Sequence, residues 1–277
     1  MRPFLFMAST KASQPIGIFD SGIGGLTVAN AINSLLPKEQ IIYFGDTAHM
    51  PYGDKSPEAI KYYSIKIGQF LAEQNCKAIV IACNTASSLG YKDLNDVVGR
   101  KIPVINVIDP TVDYILSHKK LKNIGVIGTK ATIKSNVYAK KIKEKNEALN
   151  VASLATPLLA PMIEEGFFNN TISRTIINSY LDKPKLKHID SLVLACTHYP
   201  LIKKEILEFY KRDIAILDSA EIVAQYVQKV LSKKKLLSNK KTQEHHFYVS
   251  DFTSSFEKST KIFFKEKIHL ELKNIWA

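Results

Sequence analysis

The chain has 277 residues and a formal net charge of +12 at neutral pH, and hydrophobic residues make up 45% of it. This length suffices for one large domain or two modules with substantial cores. The apolar runs are far shorter than a membrane span, and the first residues lack an apolar stretch long enough for a secretory signal. We therefore predict a soluble, cytoplasmic protein with no membrane partner and an N-terminal extension at residues 1–13.

The positive charge comes almost entirely from lysines spread along the chain, since only four residues are arginine. Base readout and bidentate phosphate recognition favour arginine, and single-strand binding needs aromatic residues interleaved with the charge. Neither pattern is present, so we expect solvated helix faces and no dedicated nucleic-acid site. Three cysteines cannot form a complete disulfide framework, and we expect them to be free thiols.

Strands and helices alternate in the first half of the sequence. Apolar runs predict strands at residues 16–19, 41–44, 78–82 and 102–107. A helix at 26–36 ends before Pro37, and a second begins with Ser56 as its N-cap and Pro57 at its first position. Because the strands at 78–82 and 102–107 show no polar alternation, we expect both of their faces to be covered. The sequence therefore predicts a parallel α/β fold.

The same pattern restarts near residue 124. IGIFDS and IGVIGT are 108 residues apart, and AIVIACNT and SLVLACTH are 113 residues apart, which indicates an internal repeat of a whole module. The predicted helices of this half lie at about 132–145 and 170–181, and a further helix spans 220–233. We predict two pseudo-symmetric parallel-sheet α/β domains with the active site between them. The first domain comprises residues 14–107 and 220–277, and the second comprises residues 108–219.

Polar residues follow several of the predicted strands, where parallel sheets bind their ligands. They are Asp20-Ser21, Asp46-Thr47, Cys83-Asn84-Thr85 and Cys196-Thr197-His198. If the modules face each other, the last two groups place one thiol on each side of a cleft. A thiolate on one face of a carbon acid removes a proton while a thiol on the other face delivers one, and this inverts the stereocentre. Cys76 has no polar cluster after it, so we expect a small buried residue there.

The remaining motifs indicate neither a metal nor a cofactor. DSGIGG lacks the Lys-Ser/Thr of a phosphate loop and the spacing of a dinucleotide fingerprint, although its N–H groups at a helix start are suited to a carboxylate. Cys196 and His198 lack a companion ligand pair at zinc-site spacing. His245 and His246 fall in a predicted strand, and we expect them to be structural.

Four segments together, GIFDSGIGGLTV, YFGDTAHMPYG, IACNTASS and LACTHYPLI, resemble the glutamate racemases of the cofactor-independent aspartate/glutamate racemase family. The resemblance covers about residues 14 to 230. It implies interconversion of L- and D-glutamate for peptidoglycan synthesis, with Cys83 and Cys196 as the two catalytic bases. It also implies the following substrate-contacting residues: Asp20, Ser21, Tyr52, Gly53, Asn84, Thr85, Thr197 and His198.

The resemblance further implies that Asp20 assists Cys83, and that His198 and Glu164 assist Cys196. Glu165 adjoins Glu164, so the match to the family motif leaves open which of the two glutamates assists Cys196.

His49 stands where the family usually has arginine, which leaves open any contact made by that position.

Three other functions remain open from sequence. The first is another racemase of the same superfamily, such as an aspartate racemase. The second is a cysteine hydrolase with Cys196 as nucleophile and His198 as base. The third is a non-catalytic basic interaction protein. The expected partner of the racemase is glutamate, and the expected assembly is a monomer or a homodimer.

Overall fold

The computed structural model describes residues 11–211, 214–239, 244–264 and 266–277. Most of the extension predicted at residues 1–13 lies outside this range, and its last residues form a short 3-10 turn at Lys11–Ser13. No helix within the described ranges has the length and apolarity needed to cross a membrane.

The described residues form ten strands and twelve α-helices. The strands are β1 (Ile16–Asp20), β2 (Ile41–Gly45), β3 (Ala78–Ile81), β4 (Val104–Asn106), β5 (Asn123–Gly128), β6 (Asn150–Ala155), β7 (Ser191–Ala195), β8 (Ala215–Asp218), β9 (His246–Val249) and β10 (Leu270–Leu272). The helices are α1 (Leu26–Leu35), α2 (Pro57–Glu73), α3 (Asn84–Leu89), α4 (Tyr91–Val98), α5 (Ile108–Ser117), α6 (Lys130–Ser135), α7 (Val137–Lys145), α8 (Leu159–Glu164), α9 (Thr171–Leu181), α10 (Lys203–Tyr210), α11 (Ser219–Lys233) and α12 (Ser254–Phe263).

Two parallel sheets confirm the predicted α/β fold. The strand order is β10-β9-β2-β1-β3-β4 in the first sheet and β6-β5-β7-β8 in the second. The four strands β2-β1-β3-β4 thus have the same order as β6-β5-β7-β8, as expected for a repeated module. The C-terminal strands β9 and β10 extend the first sheet beside β2, in parallel register. The domain boundaries predicted at 107/108 and 219/220 stay a prediction.

Local sequence accounts for most of these elements. Ser56 caps α2 by accepting a hydrogen bond from the Ala59 N–H, and Pro57 occupies the first turn as predicted. Strands β1 to β4 are buried along their whole length, which agrees with their continuous apolar runs.

The second half differs from its sequence prediction in several elements, and the helices α5, α8 and α10 were not predicted. The helix predicted at about 132–145 is two helices, α6 and α7, because Asn136 adopts a left-handed conformation with φ of 56°. Strand β6 was not predicted. It lies at the edge of its sheet and its residues are half-buried or exposed, so its sequence NVASLA lacks a clear apolar run.

One cluster of buried apolar side chains extends from the first sheet into the second. It includes Ile18 of β1, Val28 of α1, Val223 of α11 and Leu192 of β7. A second cluster covers the other face of the first sheet, beneath α2. The sheets therefore share packed helices, which hold their strand ends toward each other.

A buried ion pair lies at the amino-terminal edge of the first sheet. Lys77 contacts the Glu39 carboxylate and donates a hydrogen bond to the Ala12 carbonyl oxygen at 2.6 Å. The other Glu39 oxygen accepts from the Ser238 N–H at 2.8 Å. Burial lowers the pKa of Lys77, and the hydrogen bond and charge of Glu39 oppose that shift.

We expect Glu39→Leu to lower the free energy of unfolding by about 3–5 kcal/mol, because Lys77 then remains buried without its counter-ion. Urea unfolding measures this change. Lys77→Met combined with Glu39→Leu should recover much of the loss, since no buried charge is left. Lys92→Met, which removes an exposed pair with Asp96, should leave unfolding unchanged. Equal losses in the single and double variants would contradict the expectation.

Candidate active site

The carboxyl ends of the two sheets meet at a small cavity of about 40 Å³. Ten of the eleven predicted site residues line it, and Asp20 is the exception. The ten are Ser21, Tyr52, Gly53, Cys83, Asn84, Thr85, Glu164, Cys196, Thr197 and His198. The structure therefore brings both predicted catalytic thiols to one cavity, one from each sheet.

Cys83 lies between β3 and the first turn of α3. Its sulfur accepts a hydrogen bond from the Ala86 N–H at 3.4 Å and donates to Ser21 Oγ at 3.7 Å. Burial and the nearby Asp20 carboxylate raise the pKa of the Cys83 thiol to about 12. In this environment Cys83 favours its protonated, proton-donating form.

Asp20 lies behind the cavity wall and is fully buried. Its Oδ2 accepts hydrogen bonds from the Gly22 N–H at 3.2 Å and the Gly25 N–H at 3.0 Å, while Oδ1 has no partner among the described residues. Burial raises the pKa of Asp20 against the opposing effect of His198 and these N–H donors. The glycine-rich turn does hold a carboxylate, but that carboxylate belongs to the chain itself.

The surroundings of Cys196 differ from those of Cys83. His198 Nδ1 lies 3.6 Å from the Cys196 sulfur, and His198 Nε2 lies 2.9 Å from Glu164 Oε1. Glu164 lines the cavity whereas Glu165 is exposed, so Glu164 is the carboxylate beside His198. Burial alone lowers the pKa of His198, but its contacts with Cys196 and Glu164 raise that pKa well above the ordinary value. His198 therefore lies between the Cys196 sulfur and the Glu164 carboxylate, and the raised pKa favours its imidazolium form.

The glycine turn also allows the two halves to approach each other. A Cβ on Gly24 would lie 2.3 Å from His198 Cε1 and 2.7 Å from Thr197 Oγ1. Thr27, one turn further, donates a hydrogen bond to the Thr197 carbonyl oxygen at 3.1 Å. Any side chain at Gly24 would therefore displace the second half of the site.

Asn84 and Thr85 connect directly to the second half. Thr85 Oγ1 lies 2.9 Å from Thr129 Oγ1 and 3.1 Å from Thr132 Oγ1. The Tyr138 hydroxyl donates to Asn84 Oδ1 at 2.7 Å, and Asn84 Nδ2 has no partner in the described part of the chain. This arrangement leaves the amide donors of Asn84 available to a ligand.

Sequence reasoning missed Thr129 and Tyr138. Thr129 lines the cavity and follows β5, at the position that corresponds to Ser21 in the IGIFDS and IGVIGT repeat. The internal repeat was therefore sufficient to predict Thr129 as a site residue. Tyr138 lies on α7, and nothing in its local sequence points to Asn84.

The polar pair Asp46-Thr47 supports the cavity from outside. Asp46 Oδ2 accepts from the Tyr52 hydroxyl at 2.6 Å, and Tyr52 is buried against the cavity. His49 does not line the cavity, and its Nδ1 lies 2.9 Å from Asp46 Oδ1. A Cβ on Gly53 would lie 2.9 Å from Thr129 Cβ, so this loop also packs closely against the second half.

The remaining cysteine and histidine predictions concern structural positions. All three cysteines are free, and Cys76 is buried outside the cavity, as expected. His245 Nδ1 accepts from the Ile41 N–H at 3.2 Å, and His246 begins β9. Within the described ranges, no three His, Cys, Asp or Glu side chains are grouped to hold a metal ion.

Comparison with known proteins agrees with this geometry. Residues 16–227 match the family model described as Asp/Glu/Hydantoin racemase. A glutamate racemase of Geobacter metallireducens is 43% identical over 87% of this chain and 89% of its own length. A glutamate racemase of Chlorobium phaeobacteroides is 44% identical over 92% of this chain and 93% of its own.

Solved structures show the same similarity in three dimensions. Glutamate racemase from Francisella tularensis in complex with D-glutamate has a TM-score of 0.89 and 38% identity, over 96% of this chain and 99% of that one. A glutamate racemase isoform from Bacillus anthracis has a TM-score of 0.87 and 36% identity, over 94% and 97%. The chain therefore belongs to the Asp/Glu/Hydantoin racemase family and, within it, to the glutamate racemases.

Proposed function

We propose that this protein interconverts L- and D-glutamate by proton transfer between Cys83 and Cys196. The observation that carries the proposal is the meeting of these two thiols at one cavity, from corresponding strand ends of the two sheets. Relatives named glutamate racemase, one of them solved with D-glutamate, support the choice of substrate. The D-glutamate formed would supply peptidoglycan synthesis, as the family resemblance implies.

The two thiols have different surroundings. Burial and Asp20 both raise the pKa of Cys83, which favours its thiol form, whereas the Cys196 sulfur lies 3.6 Å from His198 Nδ1. In the reaction of L-glutamate, Cys196 as a thiolate removes the α-proton and the Cys83 thiol protonates the opposite face. The product is D-glutamate, and the two thiols have exchanged protonation states. The reverse reaction begins with a Cys83 thiolate.

Neutral donors around the cavity suit the substrate and the charge that develops on it. Ser21, Asn84, Thr85 and Thr197 line the cavity and supply uncharged amide and hydroxyl groups, and Asn84 Nδ2 has no partner among the described residues. We propose that they hold the carboxylates and stabilise the carbanion that forms when the α-proton leaves. The predicted substrate contact of Asp20 is indirect in this proposal, through Cys83.

Strand-end loops of both halves form the wall of this small cavity. We propose that the loops open to admit glutamate and close around it, which excludes water during proton transfer.

We also propose a cytoplasmic location, because two thiols that must stay reduced suit a reducing compartment. Glutamate is the proposed small-molecule partner. A monomer or homodimer remains the predicted assembly.

Replacing either active-site thiol should nearly abolish racemisation. We expect Cys83→Ala and Cys196→Ala each to lower kcat by ~10²–10⁴-fold or more, because neither sulfur can reach the other face of the α-carbon. Circular dichroism of glutamate at constant total concentration follows the loss or gain of each enantiomer. Cys76→Ala, which removes the remaining buried thiol, is the matched control and should retain activity.

A single-nucleophile hydrolase would give a different result in the same experiment. If Cys83→Ala racemises at the wild-type rate while Cys196→Ala is inactive, the two-thiol mechanism is wrong.

The pKa of Cys83 gives a pH dependence with a defined sign. Because that pKa is raised to about 12, the thiolate fraction of Cys83 increases with pH over the assay range. We expect kcat/KM for D-glutamate to rise between about pH 7 and about pH 9. Asp20→Asn removes a nearby negative charge, lowers the pKa of Cys83 and should shift this rise to lower pH.

Asp218→Asn is the control for that shift. Asp218 is another carboxyl whose pKa is raised by burial, it does not line the cavity, and asparagine preserves its capping of α11. An unchanged pH profile in Asp20→Asn would contradict the proposed effect of Asp20 on Cys83.

Tyr138 provides a test of substrate binding. We expect Tyr138→Phe to raise KM about threefold to tenfold with a smaller change in kcat, because Asn84 then lacks the hydrogen bond that orients its amide. Initial rates in both directions measure the effect. Tyr114→Phe, on α5 and away from the cavity, should leave KM unchanged. A wild-type KM in Tyr138→Phe would show that Asn84 needs no such support.

A further inference from the structure

The loop from Asp46 to Gly53 forms one wall of the cavity. Tyr52 and Gly53 line the cavity, and the Tyr52 hydroxyl donates to the fully buried Asp46 carboxylate. Asp46 Oδ1 also accepts from Ser250 Oγ at 2.7 Å. The position of this wall therefore depends on how firmly Asp46 is held.

The third partner of Asp46 is His49. Its Nδ1 lies 2.9 Å from Asp46 Oδ1 and 3.0 Å from Oδ2. An ionised carboxylate only accepts hydrogen bonds, so it favours a proton on Nδ1. The Ala48 N–H donates to Ser250 Oγ, and the Asp251 N–H donates to Thr47 Oγ1, which attach the same loop to the end of β9.

The C-terminal end of the chain packs on the outer side of His49. The His49 ring stacks on Tyr63 at 4.3 Å between centroids, and the Trp276 ring meets His49 at 4.6 Å in an edge-on arrangement. Trp276 also contacts Tyr63 at 5.4 Å. Trp276 is the penultimate residue and the single tryptophan of the chain. The half-buried His49 thus contacts two aromatic rings and the Asp46 carboxylate.

The indole N–H of Trp276 is a second feature that apolar packing does not explain. Its Nε1 is buried and has no hydrogen-bond partner within the described residues. A buried, unpaired donor is unfavourable for folding and needs an explanation. The same ring contacts His49, and His49 in turn contacts Asp46. Asp46 accepts a hydrogen bond from Tyr52, which lines the cavity.

We propose that Trp276 and His49 form a latch that positions the substrate loop, residues 46–53, through Asp46 and Tyr52. This inference rests on the proposed racemase function. Trp276 and His49 do not touch the substrate, so they are positioning residues. The latch holds the Tyr52 wall in the closed geometry, in which Gly53 packs against Thr129 of the second half.

Kinetics of Trp276 variants test the latch. We expect Trp276→Ala to raise KM for both glutamate enantiomers about fivefold to tenfold, with kcat changed less than about twofold, because loop positioning affects binding more than the thiols. Trp276→Phe should restore most of the affinity, since an aromatic ring still covers His49. Leu272→Ala, an exposed apolar truncation on the neighbouring β10, is the matched control and should behave as wild type.

Hydrogen exchange separates a loosened loop from a general loss of structure. In Trp276→Ala, peptides that cover residues 46–53 should exchange faster, while peptides that cover β3 and α3 should exchange as in wild type. Trp276 fluorescence provides an independent signal, and D-glutamate should change its emission in the wild-type protein.

The outcomes distinguish the latch from the proposed function. A wild-type protein without glutamate turnover would reject the function, on which the latch rests. Wild-type turnover together with normal KM and normal loop exchange in Trp276→Ala would reject the latch alone. Faster exchange throughout Trp276→Ala would also reject it, because it would assign Trp276 to general stability.

Discussion

The buried carboxylate of Asp20, held by the N–H groups of Gly22 and Gly25, is the interaction on which the rest of the site depends. These donors allow a carboxylate to lie where no water reaches it, and from there it raises the pKa of Cys83. Gly24 in the same turn has no side chain, so His198 can approach it from the other half of the site. This short segment thus raises the pKa of Cys83 and makes room for His198, which lies beside Cys196.

The fold and the positions of the two thiols can be predicted from the sequence because both depend on local sequence patterns. Continuous apolar runs predict strands that are covered on both faces, and the ends of parallel strands lie at one edge of a sheet. Cys83 and Cys196 each follow such a run, and the structure places both at the cavity. Strand β6 and the break at Asn136 escaped prediction because an edge strand has little apolar pattern and a single left-handed residue leaves helical periodicity nearly intact.

Contacts between distant segments were harder to predict. From its sequence, Asp46 is expected at a strand end with the other polar residues. In the structure its carboxylate accepts a hydrogen bond from Tyr52, and Tyr52 rather than Asp46 lines the cavity. Tyr138 reaches Asn84 across the two halves, and Trp276 reaches His49 from the end of the chain. The last two contacts join residues far apart in sequence, and no spacing rule relates them.

The shared strand order of the two sheets has a consequence for how such a site arises. Two identical halves in a symmetric dimer would surround their thiols identically, so neither thiol would be intrinsically the stronger acid. Covalent joining of the halves removes this restriction, because each copy can then change separately. The position of Asp20 in β1 is taken by Gly128 in β5, and the carboxylate of the second half comes instead from α8, as Glu164. Because both halves belong to one chain, they can surround the two thiols with different side chains, and here they do so.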